Sequence, residues 1–381
     1  MTTEGMHVSH PRTMRSLLSA AAAALAVTGA LLTSPSATAA GPRAVAEVSP
    51  RAAQTIDDIG ASGAWRVNDL KNFDPEVRAR VAELLFSKQG LSLSAYRYNI
   101  GGGGTGVTYA PRAPEDFVSA DGGYDWGRDE AGRYFLYAAA KYGVRDLIGF
   151  VNSAPAAWKT NGKSCGGRLK EENERNFATY LADVTDHFAR QGVGLDHISP
   201  FNEPTNGFDS CGQEGMLVDP AQRDDIVRAL GAEQRARHQR TGIIADESTS
   251  TVKFNSEVPQ WISQPGTARY VSRLAHHTYD NPGDADRAQV YETSRAAGKK
   301  SWSTEICCFG KGGTGWAQEY DPTIDSGLNL HFDGRTPLRA VQAVRTSADE
   351  SWAKTTKPPV TGGTMSAALA ARSITTYVLA P

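Results

Sequence analysis

Cysteine is scarce in this chain. Four Cys in 381 residues are too few for a disulfide scaffold, and none shows the paired C-x-x-C spacing of a structural zinc site. Neither sign of charge dominates. Lys plus Arg number 40 and Asp plus Glu 42, a formal net charge of −2, so the basic face that nucleic-acid binding requires is missing. The one long apolar run lies in the first forty residues and is slightly short for a spanning helix, so no membrane partner is expected. Repeats and low-complexity segments are absent beyond that run. What remains is a globular balance, 40% hydrophobic and 22% charged. That suffices for a real core in one large domain or two ordinary ones.

The first forty residues read as an address. Met14-Arg15 is followed by an uncharged run, Ser16 to Leu32, and then by small residues including Ala37-Thr38-Ala39. A basic start, an apolar middle and an A-x-A end make a secretory signal, with an anchoring or buried helix as the alternative. Met14 is a second candidate start. The expected mature chain begins near Gly41 and is secreted to an extracellular, disulfide-permissive compartment. Cys165 and Cys211 both sit in Gly-rich stretches and are expected to pair. Closing that loop would stabilise by about 4 kcal/mol in the chain-entropy model. Cys307 and Cys308 are adjacent and cannot pair in ordinary geometry. Four free thiols are the alternative.

From about residue 55 short apolar runs alternate with longer amphipathic stretches. The runs are Ile56–Ser62, Leu91–Ile100, Val144–Asn152, Leu195–Asn202, Gly242–Ala245, Val271–Tyr279 and Lys300–Ile306. Helical stretches lie between them, at Pro75–Gln89, Arg128–Tyr142, Lys170–Gln191, Pro220–Arg240 and Asp284–Ala297. Val77, Val81, Leu84 and Leu85 show the 3.6-residue period. Strands alternating with helices imply a parallel sheet with crossovers, and seven such units favour a (β/α)8 TIM barrel, an α/β fold, over an open sheet. Gly101, Gly103 and Gly106 match G-x-G-x-x-G, as do Gly310, Gly312 and Gly315. No helix follows either motif, and a dinucleotide site needs the helix N-terminus for its pyrophosphate. Loops bordering a cleft fit better.

Functional residues of such a barrel gather at the C-terminal ends of its strands. Those ends carry Arg97, Asn99, Asn152, Asn202-Glu203, Asp246-Glu247, His276-His277, Tyr279 and Glu305. Two Glu on separate strands, with Asn, His, Tyr and Arg nearby, are what glycoside cleavage needs: one carboxyl protonates the leaving oxygen while the other attacks the anomeric carbon or activates water. Salt-bridged rim residues are the alternative for each lone Glu. The residue types alone leave other barrel enzymes open.

The words around these residues narrow the choice. Ser199-Pro-Phe-Asn-Glu-Pro204 resembles the fourth-strand Asn-Glu-Pro signature of retaining glycosidases, and Ser301-Trp-Ser-Thr-Glu305 resembles their seventh-strand nucleophile. Tyr96-Arg-Tyr-Asn-Ile-Gly-Gly-Gly103, Asn152-Ser-Ala-Pro-Ala-Ala-Trp158 and His277-Thr-Tyr279 resemble glycoside hydrolase family 30. The stretch Phe208 to Gly215, with Cys307-Cys308, is most similar to the endo-β-1,6-galactanase branch. The resemblance implies Glu203 as acid/base and Glu305 as nucleophile, with Asn202 bonding the sugar 2-hydroxyl. Arg97 and Tyr279 would hold Glu305 ionised and aimed, and Asn152 would contact substrate. Trp158 would stack on a pyranose face or else pack in the core, with Trp65 and Trp126 as further candidates for stacking. His277 and Tyr279 share strand parity and can face the interior, while His276 should point behind the barrel. Neighbours on a strand diverge, so the His pair makes no metal site. Asp246 and Glu247 rank below Glu203, because no sugar-binding Asn precedes them; orienting other groups is the role left to them.

The expected organisation is a cleaved signal over 1–40, a short segment over 41–54, a catalytic barrel over 55–330 and an atypical segment over 331–381. After Asn329 the pattern departs from the family. Leu338 to Lys354 has the period of an amphipathic helix, and Ser373–Leu379 is the one segment fit to close the barrel. Too little chain remains for a complete β-sandwich side domain. The implied activity is retaining hydrolysis of β-1,6-galactan side chains of arabinogalactan by a monomer with no metal or organic cofactor. A β-1,6-glucanase, another hydrolase of the family and a catalytically inactive carbohydrate-binding relic are the alternatives.

Overall fold

The computed structural model describes residues 43–48, 51, 55–280, 282–306, 326–332, 338–347, 350, 352–370 and 373–380. The signal, Cys307-Cys308 and the second glycine motif lie outside the described residues. Two units divide the chain: Ser49–Asp321 form one, and Met1–Val48 with Pro322–Pro381 the other.

Strand β1 (Arg43–Val48) belongs to the smaller unit. The larger unit then runs β2 (Gly60–Ser62), α1 (Arg66–Leu70), α2 (Pro75–Phe86), β3 (Ala95–Ile100), α3 (Glu130–Lys141), β4 (Asp146–Val151), α4 (Glu174–Arg190), β5 (His197–Ser199), α5 (Pro220–Ala236), β6 (Gly242–Ser248), α6 (Thr251–Ile262), β7 (Val271–His277), α7 (Asp284–Ala296) and β8 (Lys300–Glu305). Strands β2 to β8 pair in chain order, all parallel, as one seven-stranded sheet. This is the TIM-type barrel, nearly closed. Side chains bridge its two edge strands. Asp57, just before β2, accepts from Lys300 Nζ at 2.7 Å and from Trp302 Nε1 at 3.1 Å, both on β8.

The alternation within β3 shows how the barrel aims its residues. Tyr96 and Tyr98 turn outward, Tyr96 edge-on to Phe86 at 5.2 Å and Tyr98 edge-on to Phe188 at 5.4 Å. Period two then sends Arg97 and Asn99 inward. The outer helices follow their apolar stripes. In α4, Phe177, Leu181, Val184 and Phe188 are buried at helical spacing, the stripe by which a helix seats on a sheet. Each such side chain contributes about 1.5–3 kcal/mol by leaving water.

Helix α6 falls where the sequence pattern places none. Pro259 and four β-branched residues weaken its helical signature. Its start is nonetheless marked: the Ser250 hydroxyl accepts from the Lys253 N–H at 3.2 Å, and Phe254, Val258 and Trp261 supply a buried stripe.

The smaller unit adds β9 (Ser326–Phe332), β10 (Arg339–Thr346), β11 (Ala353–Lys354), β12 (Val360–Thr361), β13 (Thr364–Leu369) and β14 (Ile374–Ala380). They form two sheets, ordered β1-β9-β13-β12 and β11-β10-β14. Two expectations are corrected here. The amphipathic helix over 338–354 is strands β10 and β11. The segment expected to close the barrel is β14, antiparallel to β10. Pairing with the β-branched run of β14 outweighs the weak helical period of Val341 and Val344.

Candidate active site

A cleft of about 1590 Å³ runs along the barrel from Gly60, Ala95 and Lys300, where strands begin, to the C-terminal strand ends. Arg97, Asn152, Asn202, Glu203, Tyr279 and Glu305 all line it, and so does Trp65. Arg97 rises from β3, where its guanidinium lies 3.9 Å from the centre of the Phe150 ring on β4. Its Nη1 donates to Glu305 Oε1 at 2.6 Å and its Nη2 to Asn202 Oδ1 at 3.4 Å. Nη2 also lies 3.2 Å from Glu247 Oε1. The Tyr279 hydroxyl donates to the other oxygen of Glu305 at 2.7 Å.

His277 stands at the centre with no exposed surface. Its Nδ1 is 3.0 Å from Glu203 Oε1, and its Nε2 is 3.3 Å from Glu247 Oε2 and 3.7 Å from Glu305 Oε1. Asn206 Nδ2 donates to Glu203 Oε2 at 3.3 Å, and the Glu203 N–H donates to the Glu247 carbonyl at 3.0 Å. The Thr304 hydroxyl donates to Glu247 Oε2. Glu203 and Glu247 both take left-handed backbone, φ 46° and 58°. Non-glycine residues pay about 1–2 kcal/mol for that conformation, and such strain collects at functional sites.

Three carboxylates thus face two cations in a nearly dry site. Burial alone would push Glu305 up, but the charge of Arg97 and then of His277 holds it below the ordinary carboxylate value. Burial is likewise overcome at Glu247, where Arg97, His277 and Thr304 pull the carboxyl to about 2. His277 moves the other way: against burial, bonds to Glu203 and Glu247 and the charge of Glu305 raise it to about 9. One ligand atom each of Glu203, His277 and Glu305 lie within 4.8 Å of one another. The donor set suits proton sharing.

Of the residues singled out in the sequence, the structure brings Glu203, Glu305, Asn202, Arg97, His277, Tyr279 and Asn152 together. Trp158 takes the core-packing alternative. It does not line the cleft, and it packs edge-on against Tyr180 with ring centres 5.7 Å apart. Trp126 is in the core too, stacked on His187 at 4.1 Å. His276 points behind the barrel, 5.2 Å from the Phe254 ring of α6. Cys165 and Cys211 form a disulfide, Cα atoms 5.1 Å apart. Sequence reasoning underweighted Glu247 and passed over Asn206 and Thr304. Their signal was proximity: Asn206 stands three residues past Glu203 in a turn, and Thr304 immediately precedes Glu305.

The family model for O-glycosyl hydrolase family 30 matches residues 45–264. The chain belongs to that family. Among curated relatives, an endo-β-1,6-galactanase of Hypocrea rufa is 26% identical, over 66% of this chain and 58% of its own length. An exo-β-1,6-galactobiohydrolase of Bifidobacterium longum is 24% identical, over 61% of this chain and 21% of its own. The family 30 chain described here therefore spans less than two thirds of either. In three dimensions it is similar to a conserved exported protein of Bacteroides fragilis, with a TM-score of 0.68 and 18% identity, over 86% of this chain and 98% of that one. No helix among the described residues is long and apolar enough to cross a membrane.

Proposed function

We propose that this chain is a secreted retaining glycoside hydrolase that cleaves β-1,6-linked galactan by double displacement. The observation that carries the reading is the approach of a Glu203 oxygen and a Glu305 oxygen to within 4.8 Å. Retaining enzymes hold their two carboxyl groups about 5–5.5 Å apart, whereas inverting ones leave about 6.5–9.5 Å for a water. Arg97 and Tyr279 keep Glu305 anionic and fix both its oxygens, which suits it to attack. Glu203 then protonates the glycosidic oxygen as Glu305 bonds to the anomeric carbon and the C–O bond breaks. In the second half Glu203 takes a proton from water, the hydroxide attacks the same carbon, and Glu305 is released. Asn202, its Oδ1 turned to Arg97, presents its amide at the cleft for the sugar 2-hydroxyl, a bond that strengthens as positive charge develops on the ring. Asn152 is placed to contact the same sugar. The two carboxylates complete the chemistry without a cofactor.

Galactan is favoured as substrate because two curated relatives carry β-1,6-galactan activities in their names. The basic, apolar and small-residue pattern of residues 14–40 supports secretion. The test incubates the full chain with de-arabinosylated arabinogalactan and, separately, with β-1,6-glucan. Galacto-oligosaccharides released first as the β-anomer are expected. Release of α-anomers would overturn retention, and cleavage of the glucan alone would overturn the substrate.

A further inference from the structure

Glu247 has no contact with solvent, and no step of the proposed reaction uses it. It nevertheless touches both cations of the site. Its carboxylate meets Arg97 Nη2 at 3.2 Å and His277 Nε2 at 3.3 Å, and the Thr304 hydroxyl fills a further lone pair. Its own backbone carbonyl holds the Glu203 N–H. A buried anion gripped from three strands and tied to the acid/base loop is expensive to build, so a role beyond filling space is indicated.

The two ring nitrogens of His277 are not equivalent. Nε2 faces two carboxylates, Glu247 on β6 and Glu305 on β8, while Nδ1 faces Glu203 alone, in the loop after β5. The other charged or titratable neighbours are Tyr279 just past the end of β7, ring to ring at 5.5 Å, His276 turned away behind the barrel, and Arg97 on β3, which reaches His277 through the shared carboxylates. A ring carrying one proton keeps it where the anions are. That leaves a lone pair on Nδ1 aimed at Glu203.

We propose that Glu247 is a positioning residue: by accepting from His277 Nε2 it turns Nδ1 toward Glu203, forming a Glu247–His277–Glu203 relay in which one proton is shared between Nδ1 and the acid/base carboxyl. The proposal rests on the glycosidase reading for its catalytic meaning. When the shared proton is on Glu203, the relay is ready to protonate the leaving oxygen. Giving that proton to the leaving oxygen empties the relay and leaves Glu203 as the anion, ready to take a proton from water. The proton taken from water refills the relay and closes the cycle. His277 raised to about 9 and Glu247 lowered to about 2 agree with a relay that stays loaded at neutral pH.

The experiment follows the imidazole nitrogens of the full chain, labelled with 15N-histidine, from pH 5 to 11. Both His277 nitrogens carry protons at pH 7; on titration Nδ1 releases its proton while Nε2 keeps its own. Retention of the proton on Nδ1 instead overturns the relay. The second arm is the pH profile of kcat/KM. Glu247→Gln removes the anion and moves the alkaline limb down by about one pH unit or more, while Glu247→Asp keeps the charge and leaves the limb in place. A limb unmoved in Glu247→Gln, with activity lowered equally at every pH, means a packing role only and sinks the proposal. If Glu247→Gln does not fold, the wild-type titration decides alone. A chain that cleaves neither polymer ends the β-1,6-galactan and β-1,6-glucan readings, and the nitrogen titration still judges the relay.

Discussion

Arg97 and Tyr279 take opposite oxygens of Glu305: the guanidinium donates to Oε1 at 2.6 Å and the phenol to Oε2 at 2.7 Å. Arg97 is buried and Tyr279 is 39% exposed, so the two bonds differ in what they support. The arginine neutralises charge in the dry interior, and the tyrosine aims the carboxylate from the cleft.

Removing each partner should therefore have a different signature. Tyr279→Phe deletes a hydrogen bond to a charged group, about 1.5–3 kcal/mol. Its kcat/KM is expected to fall about 10- to 100-fold with little change in the unfolding temperature. Arg97→Met leaves Glu247 and Glu305 facing each other without the guanidinium between them. Breaking a buried ion pair costs about 3–5 kcal/mol, so this variant loses stability as well as turnover. Steady-state kinetics and thermal unfolding on the same samples separate the two. Equal thermal losses would refute the division.

The charge of His277 predicts a pH-dependent stability. Its folded value is raised to about 9 from about 6.5 in an unfolded chain. The stabilisation is then fully present below pH 6.5 and is lost as pH rises through 9. At its largest it is on the order of 3 kcal/mol. The wild type should exceed His277→Gln in urea stability by most at pH 5.5 to 6 and by least near pH 9.5. A gap that stays constant with pH would show that His277 is buried neutral.

Much of this site is visible in the linear sequence, and the physical reason is local. A barrel strand is a short apolar run whose parity points alternate residues inward, so His277 and Tyr279 could be assigned to one face and His276 to the other before any coordinates. What local pattern cannot carry is closure. Arg97 meets Glu305 across 208 residues, and only the completed ring makes Glu247 the shared partner of Arg97 and His277. On the sequence Glu247 looked like a rival acid lacking an Asn before it. Trp158 shows the opposite case: its motif was legible but left stacking and core packing both open, and the ring packs edge-on to Tyr180. The C-terminal strands were hidden because β10 owes its form to β14, a partner about thirty residues away, and not to its own period.

The disulfide predicts a purely conformational effect. Cys165 and Cys211 are separated by 46 residues, and closing a loop of that size stabilises by about 4 kcal/mol in the chain-entropy model. The two loops it joins also share bonds that do not depend on it: the Gly166 N–H donates to the Gly207 carbonyl at 2.6 Å, and the Gly215 N–H to the Ser164 carbonyl at 3.0 Å. The double variant Cys165→Ser, Cys211→Ser should thus fold and keep its KM. Its urea midpoint should drop with the slope of the transition altered only slightly. A KM raised tenfold or more would mean that the clamp shapes the cleft itself.

The two glutamates can be told apart by the stereochemistry of a rescued product. In Glu203→Ala, an aryl glycoside with a good leaving group needs no acid, so Glu305 still attacks and the covalent intermediate accumulates. Water then lacks its base. Azide needs none, and it enters from the face the leaving group vacated to give the β-glycosyl azide. In Glu305→Ala no intermediate can form. Azide occupies the space of the lost carboxylate and displaces the leaving group directly, which inverts the carbon and gives the α-azide. Proton NMR of the azide products reads the anomeric coupling in each case. β from the first variant and α from the second are expected. The reverse pairing would exchange the two roles, and no azide product from either would place the chemistry on other residues.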